Sequence, residues 1–218
     1  MNKVITLDEA VSKIKDGMTI MVGGFLGNGS PHKLIEALVE NGVSNLTLIC
    51  NDTAFTDYGV GKMVVNNQFK RIITSHVGTN RETGRQLNER ITEVELVPQG
   101  TLAEQIRAGG AGLGGILTPT GIGTIVEEGK DKIVIDNKEY LIEKPLRADV
   151  AIIAGSKVDE FGNVYYEGST RNFNSIMATA ADIVIVEAEE VVEVGMIKRE
   201  DVVTPGIFID FIVWGGNE

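Results

Sequence analysis

The sequence predicts an α/β protein: an open, mostly parallel sheet flanked by helices, with a small β-rich lobe at about residues 109–146. Three observations carry that expectation. Between Met18 and Cys50 the chain runs apolar strand, turn, amphipathic helix, apolar strand, the order of a βαβ unit. Val150-Ala151-Ile152-Ile153-Ala154 and Ile183-Val184-Ile185-Val186 are continuous apolar runs, as expected of parallel strands covered on both faces. Lys132-Ile133-Val134-Ile135 and Tyr140-Leu141-Ile142 flank Asp136-Asn137, a hairpin signal inside a stretch rich in Gly, Thr and Pro. With no internal repeat and no low-complexity linker, residues 1–218 read as one domain, the β-rich segment being a sub-lobe.

The elements follow in order. Thr6-Leu7-Asp8-Glu9 is a capping box opening a short helix to about Lys15. Met18–Val22 is a buried strand, and Pro31 begins a helix with Leu34, Ile35, Leu38 and Val39 on one face, stopped by Asn41-Gly42. Leu46–Cys50 and Arg71–Ser75 are strands; Thr79–Asn88 is a polar helix or loop. Glu93–Val97 alternates like a half-exposed strand, Thr101–Ala108 is a helix ended by Gly109-Gly110, and Ile207–Val213 is a last strand candidate.

Composition restricts the function classes. Hydrophobic residues make up 43% and charged residues 23%, as in ordinary globular proteins. The 26 glycines are clustered, which marks tight turns rather than disorder. A net charge of −11 leaves no basic stripe for nucleic acid. Cys50 is the single cysteine, and only His32 and His76 offer imidazole, so neither a disulfide framework nor a metal site is expected. Asp8, Glu9 and Asp16 interrupt any apolar N-terminal run, and Gly17–Pro31 is too short and glycine-rich to span a bilayer. A cytoplasmic protein without membrane or nucleic-acid partners is expected.

Two features point to a ligand site. In Gly23-Gly24-Phe25-Leu26-Gly27-Asn28-Gly29-Ser30-Pro31 a strand ends in a glycine-dense turn followed by a helix, so bare N–H groups and the helix's positive end can face an anionic or carbonyl ligand. In Pro98-Gln99-Gly100-Thr101 a glutamine at a strand end, just before a helix N-cap, can aim its amide N–H at a carbonyl oxygen. Ligands of open α/β sheets bind beyond the carboxyl ends of the strands. Four loops qualify: Gly23–Pro31, Asn51–Gly61, Pro98–Thr101 and Gly155–Gly168.

Asp16–Pro31 resembles the signature of family I CoA-transferases: an acidic-Gly start, apolar residues, Gly-Gly-Phe, three residues, Gly, any residue, Pro. Pro98–Gly114, Thr118-Pro119-Thr120-Gly121, Asp159-Glu160-Phe161-Gly162-Asn163 and Thr204-Pro205-Gly206 resemble further blocks of that family, in order along nearly the whole chain. The likeness is to the A (alpha) subunit of the acetate, butyrate–acetoacetate and 3-oxoacid type. It implies the CoA-transferase-like fold and a ping-pong exchange in which a glutamate attacks the acyl-CoA thioester, passing through an acyl-glutamyl anhydride to a glutamyl-CoA thioester. It also implies coenzyme A or acyl-CoA as substrate rather than resident cofactor, and a beta subunit that carries the glutamate in an α2β2 or larger assembly. By position, the resemblance makes Gln99 the oxyanion-hole residue, assigns CoA contact to Gly24, Phe25, Leu26, Gly27, Asn28, Gly29 and Ser30, and places Asn51 in the acyl pocket.

The family's nucleophilic glutamate is also followed by Asn-Gly, but Glu40-Asn41-Gly42 ends an amphipathic helix, so no nucleophile is assigned in this chain. Gly110–Gly115 fits G-x-G-x-x-G without the preceding strand that a dinucleotide site needs, and is read as backbone packing at a subunit contact. Gly59-Val60-Gly61-Lys62 is too short for a P-loop. Glu187, Glu189, Glu190 and Glu193 read as a solvated strand end or interface, His32 as a polar rim residue, and His76 receives no role. The alternative functions are a sugar-phosphate isomerase or deaminase-like enzyme, which would need a self-contained acid/base set, and a non-catalytic acyl-CoA-binding module.

Overall fold

The structure, a computed structural model, describes residues 3–215. Eleven strands and six helices are found among them. The strands are β1 (Thr19–Val22), β2 (Leu46–Asp52), β3 (Phe69–His76), β4 (Glu93–Leu96), β5 (Ile116–Thr118), β6 (Lys132–Ile135), β7 (Lys138–Glu143), β8 (Ala148–Asp159), β9 (Val164–Tyr165), β10 (Ala181–Val192) and β11 (Phe211–Trp214). The helices are α1 (Leu7–Val11), α2 (His32–Asn41), α3 (Gly61–Val65), α4 (Arg81–Asn88), α5 (Gln99–Ala111) and α6 (Asn174–Met177).

The main sheet has the order β11-β10-β8-β1-β2-β3-β4, parallel throughout, with β9 antiparallel on β8. Alternate residues of β1 feed opposite cores. Ile20 and Val22 join a cluster with α1, α2 and α3; Met21 joins one with Leu102 and Ile106 of α5 and Met177 of α6. Both faces are therefore covered, which is why the central strands read as unbroken apolar runs. The expected lobe is a three-stranded antiparallel sheet, β5-β7-β6. Asp136 and Asn137, at φ 51° and 62°, make its two-residue hairpin turn.

Several boundaries differ from expectation. The capping box of α1 forms, with Thr6 and Glu9 exchanging bonds, but the helix ends at Val11 rather than Lys15. Helix α3 begins at Gly61, the end of the expected loop Asn51–Gly61, and runs through a stretch to which the sequence assigns no element; it is five residues long and buries Met63 and Val64. Helix α5 begins at Gln99, with Pro98 as N-cap in place of Thr101, and runs through Gly109-Gly110 to a left-handed Gly112. These two glycines serve close approach: a Cβ on Gly109 would strike the Leu146 carbonyl, and one on Gly110 the Thr179 hydroxyl. That packing lies within this chain. Gly155 to Asp159, expected in a loop, continues β8, because β10 pairs with it as far as Val192↔Asp159. The last strand starts at Phe211, since 206–208 form a 3₁₀ turn that leaves Ile207 exposed.

Candidate active site

The chain winds outward in both directions from the centre of the sheet, through β2, β3 and β4 on one side and β8, β10 and β11 on the other. The switch point, the usual ligand crevice, lies between β1 and β8. Here it is filled. The Asn172 side-chain oxygen accepts from Gly24 N–H (3.2 Å), and Asn174 accepts from Ala154 N–H (3.2 Å) while donating to the Gly29 carbonyl (2.8 Å). A Cβ on Gly23 would collide with Asn174.

The glycine turn is largely self-satisfied. Phe25 and Asn28 exchange backbone bonds (3.0 and 2.9 Å), Ser30 N–H donates to Gly27, and Ser30 Oγ donates to the Gly23 carbonyl. Gly24 has φ +126°, and a Cβ there would run into Ser30 Oγ. Gly27 lies against the Tyr58 ring, and Gly29 backs onto Thr170. Asn28 Nδ2 donates to Ser169 Oγ (3.0 Å). The positive end of α2 is also taken. The Lys33 and Leu34 N–H groups donate to the Glu187 carboxylate at 3.2 and 2.8 Å. Glu187 is thus a buried helix cap at the end of the sheet core rather than a solvated strand end, and burial pushes its carboxyl up. The N–H groups of Gly23, Gly24, Phe25, Leu26, Asn28 and Ser30 thus have partners within the protein, and Phe25 and Leu26 face the adjoining cavity.

That cavity, about 370 Å³, is lined by Phe25, Leu26, Asn51, Asp52, Ser75, His76, Thr79 and Gln99. It sits at the carboxyl ends of β2 and β3 and the start of α5. Gln99 and Asn51, 48 residues apart, meet there: Gln99 Nε2 donates to Asn51 Oδ1 at 2.7 Å. Ser75 Oγ donates to the Asn51 carbonyl (2.7 Å) and lies 3.3 Å from Asn51 Oδ1. Asn51 Nδ2 donates to Asp52 Oδ2 at 2.6 Å. The Asp52 carboxylate also accepts from Leu26 N–H (2.9 and 3.1 Å) and Ala54 N–H (2.8 Å), so it ties both strand-end turns together.

Other singled-out residues lie elsewhere. Glu40 is exposed at the end of α2, where Gly42 adopts the left-handed cap. His32 stacks on Tyr58 with ring centroids 4.5 Å apart, and burial lowers its pKa. Cys50 is fully buried, which pushes its thiol up and makes it unreactive. The block Asp159–Asn163 is a turn whose Asp159 carboxylate accepts from Phe161 and Asn163 N–H; Asn163 Oδ1 accepts from Gly206 N–H (2.9 Å), docking the block Thr204–Gly206 against it. Among the described residues no three His, Cys, Asp or Glu side chains group as metal ligands, and no helix is long and apolar enough to cross a membrane.

Sequence reasoning assigns nothing to Asp52, Ser75 and His76. Asp52 is the last residue of β2, and Ser75 and His76 are the last two of β3, a strand whose end is not among the four named loops. Asn172 and Asn174 give no local signal; their partners in the glycine turn lie about 145 residues away.

Known proteins share this architecture. The chain is similar to the acetate CoA-transferase subunit alpha of Escherichia coli K12, 56% identical over 211 residues covering 97% of this chain and 96% of that protein. It is similar to the acetoacetyl-CoA:acetate/butyrate CoA transferase alpha subunit of Clostridium acetobutylicum, 54% identical over 97% of each chain. In fold it matches an acyl-CoA transferase of E. coli O157:H7 solved as a thioester complex with CoA, with a TM-score of 0.87 and 24% identity over 98% of this chain. The chain spans about half (47%) of that longer protein. These relatives give no support to the isomerase or deaminase alternative, nor to a non-catalytic module. With the family model for coenzyme A transferase matching residues 4–215, the chain belongs to the coenzyme A transferase family.

Proposed function

We propose that this chain is the alpha subunit of a heteromeric CoA-transferase that moves CoA between a short-chain acyl-CoA and a carboxylic or 3-oxo acid such as acetate, butyrate or acetoacetate. The observation that carries the reading is the hydrogen-bonded Gln99–Asn51 pair at the cavity. Gln99 Nε2 carries two N–H groups; one is committed to Asn51, and the other donates to the thioester carbonyl oxygen as it gains negative charge. Asn51 lines the acyl side, and the turn Gly24–Ser30, whose Phe25 and Leu26 reach the cavity, flanks the CoA chain.

The cavity's one carboxylate, Asp52, is bound to Leu26, Ala54 and Asn51, and so is not a nucleophile. As the family likeness implies, the attacking glutamate is supplied by a beta subunit. Its carboxylate adds to the thioester carbonyl; collapse expels CoA thiolate and leaves an acyl-glutamyl anhydride. The thiolate then attacks the glutamyl carbonyl, releasing the acid and forming glutamyl-CoA, and an acceptor carboxylate reverses both steps. The assembly is α2β2 or larger and cytoplasmic, and CoA is a substrate rather than a resident group.

The test is CoA exchange between acetyl-CoA and butyrate or acetoacetate, measured with the purified chain, with its beta subunit, and with both. Turnover is expected from the mixture alone. A CoA thioester trapped on an acidic side chain of this chain would contradict the split site.

A further inference from the structure

We propose that Asp52 is a positioning residue that fixes which end of the Gln99 amide faces Asn51, and thereby keeps an N–H available to the substrate carbonyl. The inference rests on the reading of Gln99 given above.

Side-chain amides are ambiguous partners, because each has one accepting and one donating end and both can exchange places by a half-turn. A carboxylate has no such freedom, since it only accepts. At Asp52 three donors converge: Leu26 N–H, Ala54 N–H and Asn51 Nδ2. The two backbone donors cannot turn round, and the residue is 5% exposed. The carboxylate therefore forces the Asn51 amide to present nitrogen inward and oxygen outward. That oxygen faces Ser75 Oγ and Gln99, so Gln99 must present nitrogen in turn. The direction set by two backbone N–H groups is thus relayed through Asp52 and Asn51 to a side chain that is itself exposed and otherwise free to turn. Without it, Gln99 would divide its time between a donating and an accepting orientation, and an acceptor facing a developing oxyanion is repulsive.

Asp52→Asn is nearly isosteric and tests this. The new amide oxygen can keep the Oδ1 bonds to Ala54 (2.8 Å) and Leu26 (3.1 Å), giving up the Leu26 bond to Oδ2 (2.9 Å), which puts its NH₂ against Asn51. Asn51 must then turn its oxygen inward, and Gln99 meets a donor. In the assembled enzyme, kcat is expected to fall by about 10²-fold, with KM for acyl-CoA changing far less and subunit assembly intact. Combining Asp52→Asn with Asn51→Asp exchanges the two groups and restores an oxygen facing Gln99. The double variant is expected to recover at least about tenfold of that loss, a rescue that general damage to the fold would not give. Unchanged kcat in Asp52→Asn, or a loss that the exchange does not relieve, overturns the proposal.

A second measurement does not depend on turnover. In the nitrogen-labelled chain, Asp52→Asn is expected to move the side-chain amide resonances of both Asn51 and Gln99; a Gln99 amide that stays in place refutes the relay. Gln99→Ala examines the oxyanion reading itself, so failure there is distinguishable from failure of the relay.

Discussion

Single residues carry the sharpest expectations. Gln99→Ala in the assembled enzyme should lower turnover by about 10²–10³-fold while gel filtration still shows the complex, as for loss of one oxyanion donor. Equal turnover would remove Gln99 from the chemistry. Glu187 gives an expectation of stability instead. Burial raises its carboxyl above the ordinary 4.5, against the pull of the Leu34 and Lys33 N–H groups. The folded state therefore holds the proton more tightly than the unfolded chain. That contribution is full below pH 4.5 and is lost as pH rises through the folded value. Denaturant titrations across that window should show wild-type stability declining relative to Glu187→Gln, which has no proton to lose; parallel curves would contradict it. Gln99 is legible in the sequence as a glutamine at a strand end, and Asn51 through the likeness to the family, although the structure places Asn51 inside β2 rather than in the loop after it. The link between them is not, since a 2.7 Å bond across 48 residues has no local trace. The same holds for Glu187, whose bonds to α2 span more than 150 residues.

At the scale of elements, the glycines divide by what surrounds them. Gly84 lies within α4, and a Cβ added there would have nothing within 4 Å, so Gly84→Ala should stabilise by about 0.5–1 kcal/mol through helix propensity. Gly109 lies within α5 against the Leu146 backbone, and Gly109→Ala should destabilise by about 1–3 kcal/mol through overpacking. Thermal unfolding of the two variants should move in opposite directions; a rise in both would show that helix propensity governs both sites, and a fall in both would contradict the expectation at Gly84. This contrast also explains the boundary of α5. From sequence, Gly109-Gly110 reads as a stop, because glycine is the usual helix terminator. In the molecule the backbone remains helical, because the absence of two side chains lets α5 approach Leu146 and Thr179. The stop at Gly42 is found where the sequence places it, since it depends on the residue's own left-handed conformation.

For the whole molecule, the parallel sheet brings the ends of β2 and β3 and the start of α5 around one cavity and closes the β1–β8 crevice with Asn172 and Asn174. Activity of this chain should therefore rise and saturate as beta subunit is added, while neither chain alone turns over. By itself the sequence determined the α/β class, the strand runs and the hairpin lobe, because periodicity, caps and turn residues act over a few positions, and it carries the blocks that resemble the family's. Tertiary structure alone decided which amides are already spent within the glycine turn, where the cavity opens, and which way the Asn51 and Gln99 side chains face. Those outcomes depend on hydrogen bonds between segments far apart in the chain, and each donor's partner is fixed only when the strands are laid side by side.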